Sequence, residues 1–363
     1  MDFTVEKSIL LNGVQAVQNV ISAKSALPIL SNVLLEAQQG NVKIIATDLD
    51  IGISCVVPVD ILESGAITIP AKRFNDIIKE LPDNNITISA KKNNLVTIKT
   101  ASCQFKIMGL PREEFPKLPE FKDNEAIKLE QAGLKKILQL TSFAVSQDES
   151  RYILNGILFK IIKNHITLVA TDGKRLAVVE KKLNQGPDKE ISIIVPIKTI
   201  RELDRNLQEE GELSLTLGQN QVLFDLGKVV IISRLIEGEF PDYKQVVPPP
   251  SENKMGVERE GFLLAVRRAA LLSTLDYQAV KLELFKNKLV VSKSTPDVGE
   301  SREELAVEYQ GRELMIGFNP GYLIDVLKNL NEEKIELELT DSEKPGVIRS
   351  NGYVYIVLPM RLS

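Results

Sequence analysis

The sequence predicts an α+β protein built from three repeated units, each with two helices and antiparallel sheet. Three observations carry that prediction. Ala-Thr-Asp recurs in one apolar setting, in "IIATDLDIGISC" at 44 to 55 and in "LVATDGKRLAVV" at 168 to 179, 124 residues apart. "ITIPAKRFNDIIKEL" from 67 is answered by "IIVPIKTIRELDRNL" from 193 and by "LMIGFNPGYLIDVLKNL" from 314. "LPREEFPKLP" from 110 is answered by "LIEGEFPDYKQVVP" from 235. Matches in one order and at nearly one period mark a repeat architecture.

Each unit opens on a short strand and a helix, in "VEKSILLNGVQAVQNVI" (5 to 21), "LEQAGLKKILQLTSFAV" (129 to 145) and "VEREGFLLAVRRAALLS" (257 to 273). In the first, Leu10, Val14, Val17 and Ile21 fall at helical spacing and form one apolar stripe. Alternating segments follow, such as "NVKIIATD", "NNITISA", "NLVTIKT", "HITLVATD" and "KLVVSKS". Bounded by Asn, Asp, Gly and Lys, they read as strands of antiparallel hairpins. The second helix of each unit carries a clear stripe: Phe74, Ile77, Ile78 and Leu81; Ile200, Leu203 and Leu207; Tyr322, Leu323, Val326, Leu327 and Leu330. Unit boundaries fall near 122, in "PEFKDNEAI", and near 250, in "VVPPPSENK", giving units 1–122, 123–249 and 250–363. Pro248-Pro249-Pro250 can continue neither a central strand nor a helix and reads as a stiff linker.

A chain of 363 residues suffices for about two to three domains with cores of their own. Its apolar fraction of 44% and charged fraction of 26% are those of a soluble globular protein. No apolar run approaches the roughly 18 residues that span a membrane. The start "MDFTVEKSIL" lacks the basic region and apolar core of a signal peptide, so a cytoplasmic protein without membrane partners is expected. Cys55 and Cys103 lie in strand-like runs and read as reduced packing residues. The lone His165 follows Lys163-Asn164 at a hairpin tip. With no second His and no Cys pair nearby, neither a zinc site nor a histidine-based triad can be assembled, and no metal or cofactor is expected.

Charge is unevenly spread. The six helical windows together carry a net of +5 in a chain of net −4, which leaves −9 elsewhere. Lys72, Arg73 and Lys79 recur as Lys198, Arg201 and Arg205 in the equivalent helix, and Lys135, Lys136, Arg267 and Arg268 mark the others. Recurrence across copies points to a shared surface for a polyanion, with phosphate contacts and no base code. Two such chains closing into a ring lined by twelve helices, each about 10 Å wide, would leave a hole on the order of 35 to 40 Å. A DNA duplex would pass through it.

The sequence resembles the bacterial sliding clamp family, the β subunit of the replicative DNA polymerase. The motifs are "FTVEK" near the start, "LPILSNVLLE" at 27 to 36, "RYILNGILF" at 151 to 159, "VATDGKRLA" at 169 to 177, "EFPDY" at 239 to 243 and the closing "YVYIVLPMRLS". The resemblance covers the full chain. It implies three clamp-type domains per chain, with two chains joined head to tail as a homodimer into a six-domain ring, a heterologous contact that closes after two protomers. It implies no catalytic site. The partners it implies are duplex DNA, held topologically, and, through clamp-binding peptides, the polymerase catalytic subunit, clamp loader, repair polymerases, ligase and mismatch-repair proteins.

In the family, client peptides with apolar ends enter a groove between the second and third domains. Carried over by motif, its lining here is Leu154 from "RYILNG", and Thr171, Gly173, Lys174, Arg175 and Leu176 from "TDGKRL". Pro241 and Val246 come from "FPDYKQV", Asn319 and Tyr322 from "FNPGY", and Ile356, Leu358, Pro359, Met360 and Arg361 from the tail. For DNA the resemblance implies Lys24, Arg73, Gln147, Tyr152 and Lys198, and for the dimer seam Phe105 and Ile107 against Leu271 and Leu272. Gln245, Tyr277 and Leu358 depart from common family residues and bear on peptide preference. Two rival readings make different predictions. A carboxylate hydrolase using Asp48 and Asp172 needs acid or base partners near them, and a non-ring peptide scaffold can be monomeric.

Overall fold

The computed structural model describes residues 1–21, 27–82, 84–121 and 125–362. Six α-helices occur among them: α1 (Lys7–Gln18), α2 (Ala71–Glu80), α3 (Gln131–Gln139), α4 (Ile197–Asn206), α5 (Arg259–Ala270) and α6 (Pro320–Asn329). All six fall inside the windows that apolar spacing predicts. Each begins where a strand ends, and the local sequence explains the switch. Pro70 and Pro196 close the strands before α2 and α4, where a fixed φ and a missing N–H suit a helix entrance. Glu258 caps α5 by accepting from the Glu260 amide at 2.8 Å, and Asn319 caps α6 by accepting from Gly321 at 2.8 Å, with Pro320 in the first turn. The predicted stripes face inward: Leu10, Val14 and Val17 of α1, Phe74 and Ile78 of α2, Ile200 and Leu203 of α4, and Leu323, Val326 and Leu327 of α6 are all buried. Fully burying such a side chain contributes roughly 1.5 to 3 kcal/mol. None of these helices is long and apolar enough to cross a membrane.

Among the described residues the strands form four antiparallel sheets. By contacts the chain divides into two compact units, Met1–Lys135 with Lys198–Leu235, and Lys136–Ile197 with Ile236–Ser363. The first unit holds a five-stranded sheet, ordered Asp60–Glu63, Asp2–Glu6, Asn85–Ala90, Leu95–Lys99 and Gln104–Met108. It also holds an eight-stranded sheet in which Val229–Arg234, from the middle repeat, pairs with Ile51–Pro58, from the first. The second unit repeats the plan. Its eight-stranded sheet joins Arg175–Lys182 of the middle repeat to Tyr353–Val357 of the last. Its four-stranded sheet is ordered Gly299–Ala306, Lys288–Thr295, Val280–Phe285 and Leu314–Phe318.

The middle repeat is therefore divided between the two units. Strands at repeat edges find partners in the neighbouring repeat, which satisfies their backbone N–H and C=O groups and removes open edges. The boundaries 1–122, 123–249 and 250–363 remain a division of the sequence by repeat, and the first of them falls at Lys122, outside the described residues.

Candidate functional site

In the second unit the segment Thr171-Asp172-Gly173-Lys174-Arg175 folds on its own side chains. Thr171 Oγ1 donates to the Arg175 carbonyl at 2.5 Å and accepts from the Gly173 amide at 3.0 Å. Asp172 Oδ1 accepts from the amides of Lys174 at 2.8 Å and Arg175 at 3.0 Å. Short polar side chains bonding to nearby backbone are what make such a turn. Gly173 sits at φ +85°, in the left-handed region.

The turn directs Arg175 inward, where its side chain is only 9% exposed. Nε donates to Asp172 Oδ2 at 3.0 Å, Nη1 donates to Asp325 Oδ2 of α6 at 2.6 Å, and Nη2 donates to the Phe143 carbonyl. The guanidinium carbon lies 4.4 Å from the centre of the Tyr322 ring and 5.6 Å from that of Phe143, within cation–π range. Burial alone would pull the guanidinium pKa down, but the hydrogen bond to Asp325 and the charges around it outweigh burial and hold it above its ordinary value. The Tyr322 phenol is raised, first by burial and then by the Asp172 charge. Buried Tyr355 donates to the Tyr322 carbonyl at 2.9 Å.

The tail is fastened to the same frame. The Leu358 amide donates to the Lys174 carbonyl at 2.9 Å, and the Met360 amide donates to the Gly317 carbonyl at 2.8 Å. Residues 358 to 360 thus run from the hairpin tip to the strand before α6. Leu176 and Ile356 face each other across paired strands, each 4% exposed, and join Leu158, Val169, Ile194 and Val347 in one apolar cluster. Ile153, Phe240, Tyr243 and Val247 pack against that cluster. Leu154, Thr171, Asn319, Tyr322, Pro359 and Met360 are half-buried, whereas Gly173, Lys174, Pro241, Val246, Leu358 and Arg361 are exposed. Of the residues implied for the groove, the large apolar ones open to solvent are Val246, at 60%, and Leu358, at 44%. Leu176 and Ile356 are a sealed floor. Gln245, one of the departures from the family pattern, donates to Asp242 Oδ2 at 3.0 Å.

Sequence reasoning passed over Phe143 and Asp325. An acid on a helix reads as solvated, although here one signal was available: α4 and α6 each carry an acid, Glu202 and Asp325, at matching places four residues before an Asn.

The structure offers little to a catalytic reading. Asp172 is committed to its turn and to Arg175, and Asp48 is committed to an equivalent turn and to Lys198. His165 lies 3.9 Å from the Glu180 carboxylate. Among the described residues no group of three His, Cys, Asp or Glu side chains could hold a metal.

Three family models match consecutive parts of the chain: the N-terminal domain of the DNA polymerase III beta subunit at residues 1–119, its central domain at 128–242 and its C-terminal domain at 244–361. The chain belongs to the DNA polymerase III beta subunit family. It is 34% identical to the beta sliding clamp of Chlamydia muridarum, over 100% of this chain and 99% of that one. Two solved structures, each covered in full and covering this chain in full, superpose closely. One is the DNA polymerase sliding clamp of Bacillus subtilis, with TM-score 0.94 and 31% identity. The other is a Pseudomonas aeruginosa sliding clamp bound to griselimycin, with TM-score 0.94 and 34% identity. As a family member the chain is a DNA sliding clamp, a non-catalytic accessory subunit of the replicative polymerase.

The remaining residues implied for a beta sliding clamp lie as follows. Arg73 of α2 is exposed, and Lys198 of α4, 45% exposed, pairs with Asp48; both belong to the first unit. Gln147 and Tyr152 belong to the second unit, with Gln147 exposed and Tyr152 58% exposed. Lys24 lies outside the described residues. Phe105, 39% exposed, and half-buried Ile107 sit on the edge strand Gln104–Met108 of the first unit. Leu271, 81% exposed, and half-buried Leu272 follow α5 in the second.

Proposed function

We propose that two copies of this chain close head to tail into a six-domain ring around duplex DNA, slide on it and tether client proteins. The observation that carries this reading is a pair of open sheet edges. Gln104–Met108 ends one sheet in the first unit and Gly299–Ala306 ends another in the second. An unpaired edge with exposed apolar neighbours, here Phe105 and Met108, is a hazard unless it meets a partner. The two edges also differ in charge, Lys106 on one and Glu300, Glu303 and Glu304, against a single Arg302, on the other. Pairing the first edge of one chain with the second edge of its partner, and the reverse, closes a ring after two chains. Phe105 and Ile107 would meet Leu271 and Leu272 at that seam.

Cations on the helices, with Lys24, Arg73, Gln147, Tyr152 and Lys198 among the contacts, would face the phosphates. Such contacts are non-specific and weaken as salt rises, so retention comes from the closed ring. Clients would seat the apolar end of a peptide against Val246, Leu358, Pro241 and Leu154 over the floor of Leu176 and Ile356. Thr171, Gly173, Lys174, Arg175, Asn319, Tyr322, Pro359, Met360 and Arg361 would form its ends and rim. Two or three buried apolar side chains supply roughly 1.5 to 3 kcal/mol each before ordering costs, which suits micromolar binding and exchange of clients. The cytoplasm is the compartment this role requires.

The test loads the protein onto circular duplex DNA with a compatible clamp loader, then washes at high salt before and after the circle is linearised. Retention on the circle with loss from the linear form is expected. Loss from both, with loading verified at low salt, would reduce the protein to an ordinary electrostatic binder. Binding of a fluorescein-labelled octapeptide ending in Leu-Phe, displaced by griselimycin and lost in Leu358→Ala, tests the groove.

A further inference from the structure

We infer that Asp325, held to Arg175, is a positioning residue that sets the shape of the client groove. This rests on the groove reading above. Arg175 is poorly placed to contact a client through its charge: each of its three nitrogens donates to Asp172, Asp325 or the Phe143 carbonyl, which takes three of its five N–H groups, and its faces lie near the rings of Tyr322 and Phe143. What it does is connect. The hairpin is tied to the tail by Lys174 and Leu358, the tail to the strand before α6 by Met360 and Gly317, and α6 back to the hairpin by Asp325 and Arg175. These links form a closed circuit, and Leu358, Met360, Asn319 and Tyr322 all stand on it. Of the links, the Asp325 bond at 2.6 Å is the only one between charged side chains, and it fixes the rotation of α6 that aims Tyr322. A charge-assisted bond at a buried guanidinium holds orientation more strongly than a neutral one.

Asp325→Asn keeps the shape of the side chain and removes its charge. The expected result is a loss of labelled-peptide affinity on the order of tenfold, carried mainly by faster dissociation. Asp325→Glu, which restores the carboxylate, recovers most of that affinity. Loading by a clamp loader uses the groove and can slow, but of the protein that is loaded the fraction retained on circular DNA stays as in the unmodified chain, because retention depends on the closed ring. If Leu358→Ala loses the peptide while Asp325→Asn binds it normally, the positioning role is overturned and the groove reading stands. If Leu358→Ala binds normally, the groove reading itself fails. A loss in Asp325→Asn that Asp325→Glu does not recover would also overturn the charge-held role. Should Asp325→Asn fail to fold, Arg175→Lys carries the same test, because an ammonium keeps the charge but not the fork that reaches both carboxylates.

Discussion

The turns at Asp48 and Asp172 share one backbone and differ in what leaves it. In both, a Thr hydroxyl donates four residues ahead, to Ile51 at 2.9 Å or to Arg175 at 2.5 Å. In both, the Asp caps the amides two and three residues on. The residue after the Asp is left-handed in each case, Leu49 at φ +83° and Gly173 at φ +85°. Local Thr-Asp chemistry therefore dictates the turn twice, and the exits diverge. The first turn continues with buried Ile51 and Gly52, the second with Arg175 and Leu176. Leu118 lies so close to Gly52 that a Cβ built there would stand 2.4 Å from Leu118 Cδ2. Its own chain covers that surface. A repeat can thus keep one turn in both copies, covered by its own chain in the first and sending Arg175 inward in the second, by changing a few residues beyond the turn.

The largest way to break the comparison is Arg175→Ala. Removing the guanidinium leaves Asp172, 16% exposed, without its ion pair and frees Asp325, 38% exposed, to water, and the lost hydrogen bonds to charged groups are worth about 1.5 to 3 kcal/mol each. Thermal unfolding should show a clear fall for the second unit. An unchanged transition would mean that the ion cluster is ornamental and that the two turns are equivalent after all.

Gly52→Leu gives the first copy the residue that the second carries at its counterpart, Leu176. Leu118 must leave its place, and overpacking of this kind costs about 1 to 3 kcal/mol. The sharper readout is Leu118 itself: crosslinking or limited proteolysis near it should show the 115 to 118 segment lifted. A variant as stable as the original, with that segment unmoved, would show that Leu118 does not cover this surface.

A smaller effect is expected from Leu49→Gly. Leu49 is 48% exposed, so little packing is lost, while a β-carbon is relieved of the left-handed region. That relief is worth roughly 1 to 2 kcal/mol and the added freedom of glycine in the unfolded chain takes back about 0.5 to 1. A net gain of about 0.5 kcal/mol should appear in the unfolding of the first unit. A loss would mean that the Leu49 side chain supports the turn in a way its exposure hides.

Much of this was legible in the sequence, because helical stripes such as Phe74, Ile78 and Leu81 and alternation such as "HITLVATD" report burial directly. The Thr-Asp turns were legible for a similar reason, since their bonds are local. Pairing of Val229–Arg234 with Ile51–Pro58 was not, because an alternating edge strand looks the same whichever neighbour it joins. The inward course of Arg175 was hidden too. A cation after Asp-Gly-Lys reads as a solvated hairpin residue until Asp325, 150 residues later, is seen beside it.

Glu202 sharpens the comparison at its finest point. It occupies in α4 the place that Asp325 holds in α6, but Ile51 stands where Arg175 would be. The carboxylate, 3% exposed, keeps the partly open Arg205 on Oε1 and a bond from Asn19, while among the described residues Oε2 is buried without a partner. Burial pushes its pKa up, only partly opposed by Arg205. For an acid shifted in that direction the folded state holds its proton longer than the unfolded state does. The cost is absent below the unfolded value, near 4.3 for Glu, grows as pH rises toward the folded value, and is complete above it. Glu202→Gln should therefore raise the unfolding temperature of the first unit at neutral pH by an amount equivalent to about 1 kcal/mol, and the gain should fade as the pH is brought down through the carboxylate range. The lost pairing with Arg205, an exposed cation, subtracts little. A gain that stayed constant with pH would point to packing, and a loss at neutral pH would show that the acid left behind in the first unit still has a partner that matters.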